Sequence, residues 1–341
     1  MCGRARAAAA LQWSGPRPLL WRTPGARLPA RRRDPGHPVT ATVQRPAPAR
    51  SPLAVVAAYV SLTKPRLVEL LLVTTVPAMM LAHGGWPGTG LVLATLVGGT
   101  FAAGAANTIN CWYDRDIDRL MSRTRERPIP SGVIAPRSAL AFGVLLAWVS
   151  LIVLGMFTTP LAVALAAAAV LAYSVLYTMV LKRRTHHNTV FGGLPGAAPV
   201  LIGWAAVTGT LAWPAWVFFG IVFCWQMPHF YALAARFRYD YFRAGGPMLS
   251  VVAGPAVVGR QSVAWAWATL AVSLLLAPVT PGISWLYTVP AALLGAWFIR
   301  EAHLWLGRIR RGEDERPMRL FHVSITYMTL LSIAIVADVL L

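Results

Sequence analysis

The sequence predicts an all-α membrane protein that crosses the bilayer nine times. Of its 341 residues, 57% are hydrophobic and only 13% are charged, and the mean hydropathy is +0.57. A soluble protein usually has a charged fraction of about 25%. The apolar residues come in blocks of about 20 residues, which is the length of a bilayer-spanning helix. The strands of a membrane β-barrel would be about half as long and would alternate in hydropathy.

Each of nine hydrophobic blocks predicts one transmembrane helix. The blocks lie near residues 67–83, 90–110, 138–157, 161–180, 189–208, 212–234, 262–279, 284–303 and 320–340. One set of connections is rich in Lys and Arg: 111–137, 181–188, 235–261 and 304–319. The other set contains neither residue: 84–89, 158–160, 209–211 and 280–283. Because basic loops stay in the cytoplasm, we expect the N terminus and the first set there, and the C terminus outside.

Residues 1–55 differ in composition from the rest of the chain. They are rich in Arg, Ala and Pro, and Asp34 is their single acid. We predict a disordered basic tail, followed by a nine-helix domain over residues 56–341; an organellar transit peptide is the alternative for the tail. The abundance of Ala, Arg, Gly and Pro indicates a bacterial source and therefore the plasma membrane, with the mitochondrial inner membrane as the alternative.

The net charge of +19 invites a nucleic-acid interpretation, but the position of the basic residues argues against it. Ten of the 31 Lys and Arg residues lie in the first 50 positions, and the others lie mainly at the ends of hydrophobic blocks. There they orient helices across the bilayer. We therefore predict the lipid bilayer as a partner and no nucleic acid.

The segment after the second block, residues 105–132, carries the chemistry. On a helix, Asn110, Asp114 and Asp118 recur every four residues and share one face, whereas Asp116 points elsewhere. Two carboxylates on one stripe at the membrane surface repel each other, and a bound cation relieves that repulsion. Amide and carboxylate oxygens suit Mg²⁺, which often bridges to substrate phosphates. The alternative is an ordinary loop whose acids and bases neutralise one another.

Arginines follow these acids and complete the outline of a diphosphate site. Arg123 and Arg127 carry planar guanidinium groups, which match the geometry of phosphate oxygens. Acids that bind a metal, followed by arginines that bind phosphate, predict an enzyme that handles a magnesium-bound diphosphate at the cytoplasmic surface.

This segment resembles the first Asp-rich signature of the UbiA superfamily of intramembrane prenyltransferases. The matching residues are Asn110, Asp114, Asp118, Arg123, Thr124, Arg127 and Pro128. Three further stretches, 62–66, 181–209 and 223–249, resemble the branch of that superfamily that prenylates haem. Two departures are visible, since 185–188 reads Thr-His-His-Asn and the second acidic loop retains a single acid, Asp240.

The resemblance implies nine helices around a central cavity and transfer of a farnesyl group from farnesyl diphosphate to a vinyl group of haem B, which makes haem O. It implies that Asn110, Asp114 and Asp118 hold Mg²⁺ as the cofactor. Further side chains are expected to bind the substrates: Arg123, Arg127, Lys182, Arg183, Asp240, Arg236 and Arg238. Contact with haem A synthase or with oxidase assembly factors is left open.

His229 and Trp225 lie near the cytoplasmic end of the sixth block. His229 either ligates or orients the haem iron, or it donates to a carbonyl group freed by Pro228. Trp225 is close enough to the expected site to face the prenyl chain. Both interpretations of His229 stay open at the level of sequence.

Two other functions compete with haem prenylation. The first is prenyl transfer to an aromatic quinone precursor, which uses the same diphosphate chemistry. The second is transport, but transporters place coupling acids near the middle of the bilayer, and the central thirds of all nine blocks lack acids. The sequence therefore favours an enzyme.

Overall fold

The computed structural model describes residues 51–341, apart from the side chains of 66–72. The described residues form helices and no β-strand: α1 (Pro52–Leu62), α2 (Pro65–His83), α3 (Thr89–Tyr113), α4 (Arg115–Asp118), α5 (Pro136–Phe157), α6 (Pro160–Leu171), continued by a π-helical segment (Ala172–Leu181), α7 (Asn188–Thr208), α8 (Trp213–Arg236), α9 (Arg238–Arg243), α10 (Leu249–Val252), α11 (Pro255–Val279), α12 (Trp285–Arg311) and α13 (Pro317–Leu340). The predicted tail covers residues 1–55, and residues 1–50 lie outside the described part of the chain. Helix α1 begins at Pro52, within the last residues assigned to the tail.

A long helix occupies each of the nine positions at which the sequence predicts one, so the all-α membrane fold is confirmed. Among the described residues, seven helices are long and apolar enough to span a bilayer. The two others are α2 and α12. In α2, Val73–His83 counts as a shorter apolar helix, because the side chains of 66–72 are not described. In α12, the last turn carries Arg308, Arg310 and Arg311. The protein is therefore a multi-pass membrane protein, and the ninefold crossing stays a prediction for α2 and α12.

Proline and glycine set the ends of several helices. Pro136 and Pro160 stand in the first turns of α5 and α6, where a missing backbone N–H costs nothing. Gly84 and Gly209 end α2 and α7 in the left-handed conformation, at φ values of 71° and 68°. These caps close the two short connections that follow, as the sequence indicates.

The apolar residues lie both inside and outside the bundle, as in a membrane protein. Phe218, Phe298 and Tyr327 are fully buried in the main core, which α8, α11, α12 and α13 share with α2 and α7. In contrast, Trp148 and Ile152 on α5 are more than half exposed. An exposed apolar face of this kind suits contact with lipid.

The helices place the long connections at one end of the bundle. Because consecutive helices run antiparallel, the loops around 114–135, 182–187, 237–254 and 312–316 all fall at the same end. Hydrogen bonds join the first loop to the second and to the third: Lys182 donates to Asp114, and Ser122 donates to Asp240. Polar side chains from the first three of these loops meet there.

The π-helical segment Ala172–Leu181 turns two tyrosines toward that end of the bundle. Thr178 donates to the carbonyl oxygen of Tyr173 at 2.7 Å, which satisfies part of the altered backbone. Tyr173 and Tyr177 then line the same cavity as the polar loops. π-Helical turns occur often at functional sites.

Close packing of α7 against α2 generates a test of the fold. A Cβ atom at Gly203 would lie 2.9 Å from the backbone oxygen of Thr75, whereas a Cβ atom at Gly155 would meet no atom within 4 Å. We expect Gly203→Ala to destabilise the protein by about 1–3 kcal/mol through overpacking. Gly155→Ala should be neutral, or stabilising by up to about 1 kcal/mol. Melting temperatures in detergent measure both, and equal shifts would contradict this packing.

Candidate functional site

The predicted stripe of polar side chains is present in the structure. Helix α3 ends at Tyr113, Asp114 caps it, and the N–H of Asp118 donates to the Asp114 carbonyl oxygen at 2.8 Å, so the helical register continues. Asn110, Asp114 and Asp118 are all buried. The side chain of Asp116 is 60% exposed and points away from them. Spacing alone therefore separates the buried acids from the exposed one.

Asp114 is the centre of the site, with 1% of its surface exposed. Its Oδ2 accepts from Lys182 Nζ and, at 2.9 Å, from Asn110 Nδ2. Its Oδ1 lies 3.5 Å from Arg183 Nη2 and accepts no hydrogen bond from a described residue. One buried carboxylate oxygen is thus left with free lone pairs.

Asp118 is held by the loop that follows it. Arg127 Nη1 donates to Asp118 Oδ2 at 2.8 Å, and the Thr124 hydroxyl donates to the Asp118 backbone oxygen at 2.9 Å. These bonds fold the loop back over the end of α3. As a result, the guanidinium group of Arg127 lies beside the buried carboxylates.

Asp116 has a different role from its neighbours. Both of its oxygens accept from Arg183, at 2.7 and 2.8 Å. This bidentate pair holds the pKa of the Asp116 carboxyl below its usual value. Arg183 also lies over the ring of Tyr113, 4.7 Å from its centroid. Asp116 therefore contacts Arg183 from the exposed side.

Lys64 is a site residue to which the sequence analysis assigned no role. Its Nζ donates to Asn110 Oδ1 at 2.9 Å. Its backbone is left-handed, with φ 54° and ψ 60°, a conformation that costs a residue with a side chain about 1–2 kcal/mol. Strained backbone of this kind clusters at functional sites. The available signal was its position, directly before Pro65 in the stretch 62–66.

A cavity of about 360 Å³ lies beside Asp114, and Asn110 and Asp118 line it, whereas Asp114 itself does not. Its cationic side carries Lys64, Arg123, Arg127, Lys182 and Arg183. Its aromatic side carries Tyr173, Tyr177, Phe230 and Tyr241. The cavity therefore combines anion-binding groups with ring faces in one space.

A second, apolar cavity of about 100 Å³ lies deeper in the bundle, between α2, α3, α6 and α7. Small side chains such as Ala102, Ala106 and Gly196 line it. Tyr173 lines both this cavity and the polar one, so the two are neighbours. The arrangement suits a molecule with an anionic head and an apolar chain.

Asp240 joins the third loop to the first. It is buried, and both of its oxygens accept from the Ser122 hydroxyl, at 2.7 and 3.0 Å. These bonds hold the pKa of the Asp240 carboxyl below its usual value. Arg123 crosses the same junction, 3.5 Å from the Tyr241 hydroxyl and 4.9 Å from the ring centroid of Phe237. Ser122, which has no charge to signal it, was missed at the level of sequence.

Other predicted site residues lie elsewhere. Arg236 and Arg238 line a separate cavity, on the other side of the end of α8. His229 and Trp225 are buried against α13: His229 Nδ1 lies 2.8 Å from the Ser324 hydroxyl, and Trp225 Nε1 donates to the Ser324 carbonyl oxygen at 2.6 Å. The His229 ring is stacked between Trp225 and Phe321. Neither His229 nor Trp225 is among the residues lining the 360 Å³ cavity.

The donor set around Asp114 fits a magnesium ion shared with a substrate. Among the described side chains, which exclude those of 66–72, no group of three His, Cys, Asp or Glu residues could hold a metal ion alone. Asn110, Asp114 and Asp118 offer one amide and two carboxylates, and Oδ1 of Asp114 accepts no hydrogen bond from a described residue. Mg²⁺ typically takes one or two carboxylates and completes its shell with water and phosphate oxygens.

The chain matches known proteins over most of its length. Residues 71–325 match the model of the UbiA prenyltransferase family. A protoheme IX farnesyltransferase of Salinispora tropica is 56% identical over 288 residues, which are 84% of this chain and 90% of that protein. Protoheme IX farnesyltransferase 1 of Saccharopolyspora erythraea is 52% identical over 301 residues, or 88% and 96% of the two chains.

Solved structures share the fold at low sequence identity. A digeranylgeranylglyceryl phosphate synthase structure aligns with a TM-score of 0.68 and 17% identity, over 84% of this chain and 99% of that one. A UbiA homologue from Archaeoglobus fulgidus, described as bound to GPP and Mg²⁺, aligns with a TM-score of 0.58 and 16% identity, over 82% and 99%. The resemblance noted in the sequence is therefore confirmed, and the chain belongs to the UbiA prenyltransferase family.

Proposed function

We propose that this protein transfers the farnesyl group of farnesyl diphosphate to a vinyl group of haem B, with haem O as the product. The observation that carries the proposal is the 360 Å³ cavity beside the buried Asp114, in which Asn110 and Asp118 share the lining with five cationic side chains. Relatives that are 50–56% identical are named protoheme IX farnesyltransferase, which supports haem as the acceptor.

The diphosphate would occupy the cationic side of the 360 Å³ cavity. Lys64, Arg123, Arg127, Lys182 and Arg183 would donate to its oxygens, because guanidinium and ammonium groups form strong bonds to phosphate. Those bonds strengthen as the C–O bond breaks and negative charge gathers on the leaving group.

Asn110, Asp114 and Asp118 would hold Mg²⁺ at this position. When bound, the ion supplies neutralisation of the charge on the leaving diphosphate. The A. fulgidus homologue described with GPP and Mg²⁺ supports this assignment by its fold.

Cleavage of the C–O bond would leave an allylic cation on the farnesyl chain. The faces of Tyr173, Tyr177 and Phe230 line the cavity in which it forms, and aromatic faces stabilise cations. The vinyl group of haem B would donate its electron pair to the allylic carbon and form the new C–C bond. Water would then add to the resulting porphyrin-side cation and release a proton, which leaves a hydroxyethylfarnesyl group.

An aromatic quinone precursor is the competing acceptor. It would use the same diphosphate site, so the residues around Asp114 do not discriminate between the two. The relatives, which are named protoheme IX farnesyltransferases, favour haem as the acceptor. The protein as a whole is thus proposed as a haem prenyltransferase, in the bacterial plasma membrane as expected from composition.

The two acids Asp114 and Asp116 provide a matched test of the diphosphate site. Asp114→Asn removes the charge of the buried carboxylate, and we expect kcat/KM for haem O formation to fall at least about 100-fold. Asp116→Asn changes an exposed partner of Arg183 and should cost about threefold or less. Turnover of the reconstituted protein with farnesyl diphosphate, haem B and Mg²⁺, followed by mass analysis, measures both. Near-normal turnover of Asp114→Asn would refute the metal assignment.

The orientation proposed from the charge pattern has its own test. Alkaline phosphatase folds only where its disulfides can form, outside the cytoplasm. We expect a fusion after Gly312, in the loop between α12 and α13, to be inactive, and a fusion after Leu341 to be active. The two fusions differ by one helix, α13. Activity of both or of neither would contradict the proposed orientation.

A further inference from the structure

A polar cavity of about 270 Å³ lies at the ends of α8, α11, α12 and α13. Its polar lining comes from Arg236, Arg238, Ser250, Trp305 and Glu315. It shares no lining residue with the 360 Å³ cavity. It is therefore a second polar site at the same end of the bundle.

The two arginines of this cavity are uncommitted. Both residues are exposed, and neither guanidinium group forms an ion pair or hydrogen bond with another described residue. The cations around the diphosphate site differ in this respect: Lys182 is bonded to Asp114, and Arg127 is bonded to Asp118. Guanidinium groups without a partner are free to form paired bonds to an oxyanion.

Trp305 provides an independent sign of a ligand. It is 1% exposed and lines the cavity, yet its indole Nε1 donates to no described residue. A buried donor without an acceptor is costly, and the great majority of such donors are paired in folded proteins. Nε1 itself is closed off from the cavity, so a ligand oxygen would reach it after a small rotation of the indole ring.

The charge of the lining selects among anions. Two arginines and Glu315 give the lining residues a net charge of +1. A diphosphate, which carries several negative charges, is poorly matched to that value and would be repelled by the glutamate. A carboxylate carries one negative charge and two oxygens, which match a guanidinium fork.

The cavity lies next to the proposed reaction site. Leu233 and Ala234 of α8 line the 360 Å³ cavity, whereas the next two residues, Ala235 and Arg236, line this one. The two cavities are thus separated by a single turn at the end of one helix. A substrate that lies over this helix end could reach both.

From these observations we infer that Arg236, Arg238 and Trp305 form a carboxylate-binding site that holds a propionate group of the porphyrin acceptor. The inference rests on the proposed function and deepens it. Protohaem carries its two propionates at one edge of the macrocycle and its vinyl groups on other pyrrole rings. Anchoring a propionate beside α8 leaves a vinyl group on the side of the diphosphate cavity.

Protohaem and its dimethyl ester test the site without turnover. Both are titrated into the protein in nanodiscs of neutral lipid, without Mg²⁺ or farnesyl diphosphate, and binding is followed by haem absorbance. For Arg236→Gln/Arg238→Gln we expect the Kd of protohaem to rise at least about tenfold. The Kd of the ester, which has no carboxylate, should already be high in the wild type and unchanged in the variant.

Arg137→Gln serves as the matched control, because Arg137 is an exposed arginine at the start of α5. It should bind both porphyrins like the wild type. Equal affinity of the double variant and the wild type for protohaem would overturn the inference, as would tight binding of the ester. A parallel loss of affinity for farnesyl diphosphate would also overturn it, since it would return the arginines to the diphosphate site. Failure of the wild type to bind protohaem at all would instead remove haem as the acceptor, and the propionate site with it.

Discussion

The buried carboxylate of Asp114 is the constraint on which the rest of the site depends. An ionised carboxylate at 1% exposure is costly unless it is paired and hydrogen-bonded. Lys182, Arg183 and Asn110 supply that compensation. Lys182 and Arg183 directly follow the π-helical segment, which ends at Leu181. Pairing Asp114 therefore joins α3 to the second loop and brings the cations to the cavity. Oδ1 of Asp114 still accepts no hydrogen bond, and its nearest cation is Arg183 at 3.5 Å.

The site is assembled by loops, while the helices supply its walls. Ser122 and Asp240, which are 118 positions apart, close one side of the cavity, and Thr124 and Arg127 fold the first loop over α3. The apolar cavity beneath is shaped by small residues on four helices. The charged side chains of the 360 Å³ cavity thus lie at one end of the bundle, and exposed apolar side chains lie along the helices. A diphosphate head and an isoprenoid tail require this division.

Much of the fold could be predicted because bilayer-spanning helices need long apolar blocks, and all nine blocks correspond to helices. The stripe of Asn110, Asp114 and Asp118 could also be predicted, because residues four positions apart lie on the same face of a helix. Contacts between distant loops could not. Lys64 contacts Asn110 from a left-handed backbone, and Arg236, at the end of α8, lines the separate 270 Å³ cavity. Neither feature leaves a periodic signal in the sequence.

We propose that the site around Asp114 prenylates haem. Mass analysis of haem and quinone extracts, from cells that carry the gene and from cells in which it is disrupted, tests that claim most directly. We expect disruption of the gene to abolish haem O, while haem B persists and the prenylated quinones are unchanged. Loss of the prenylated quinones with haem O intact would contradict it.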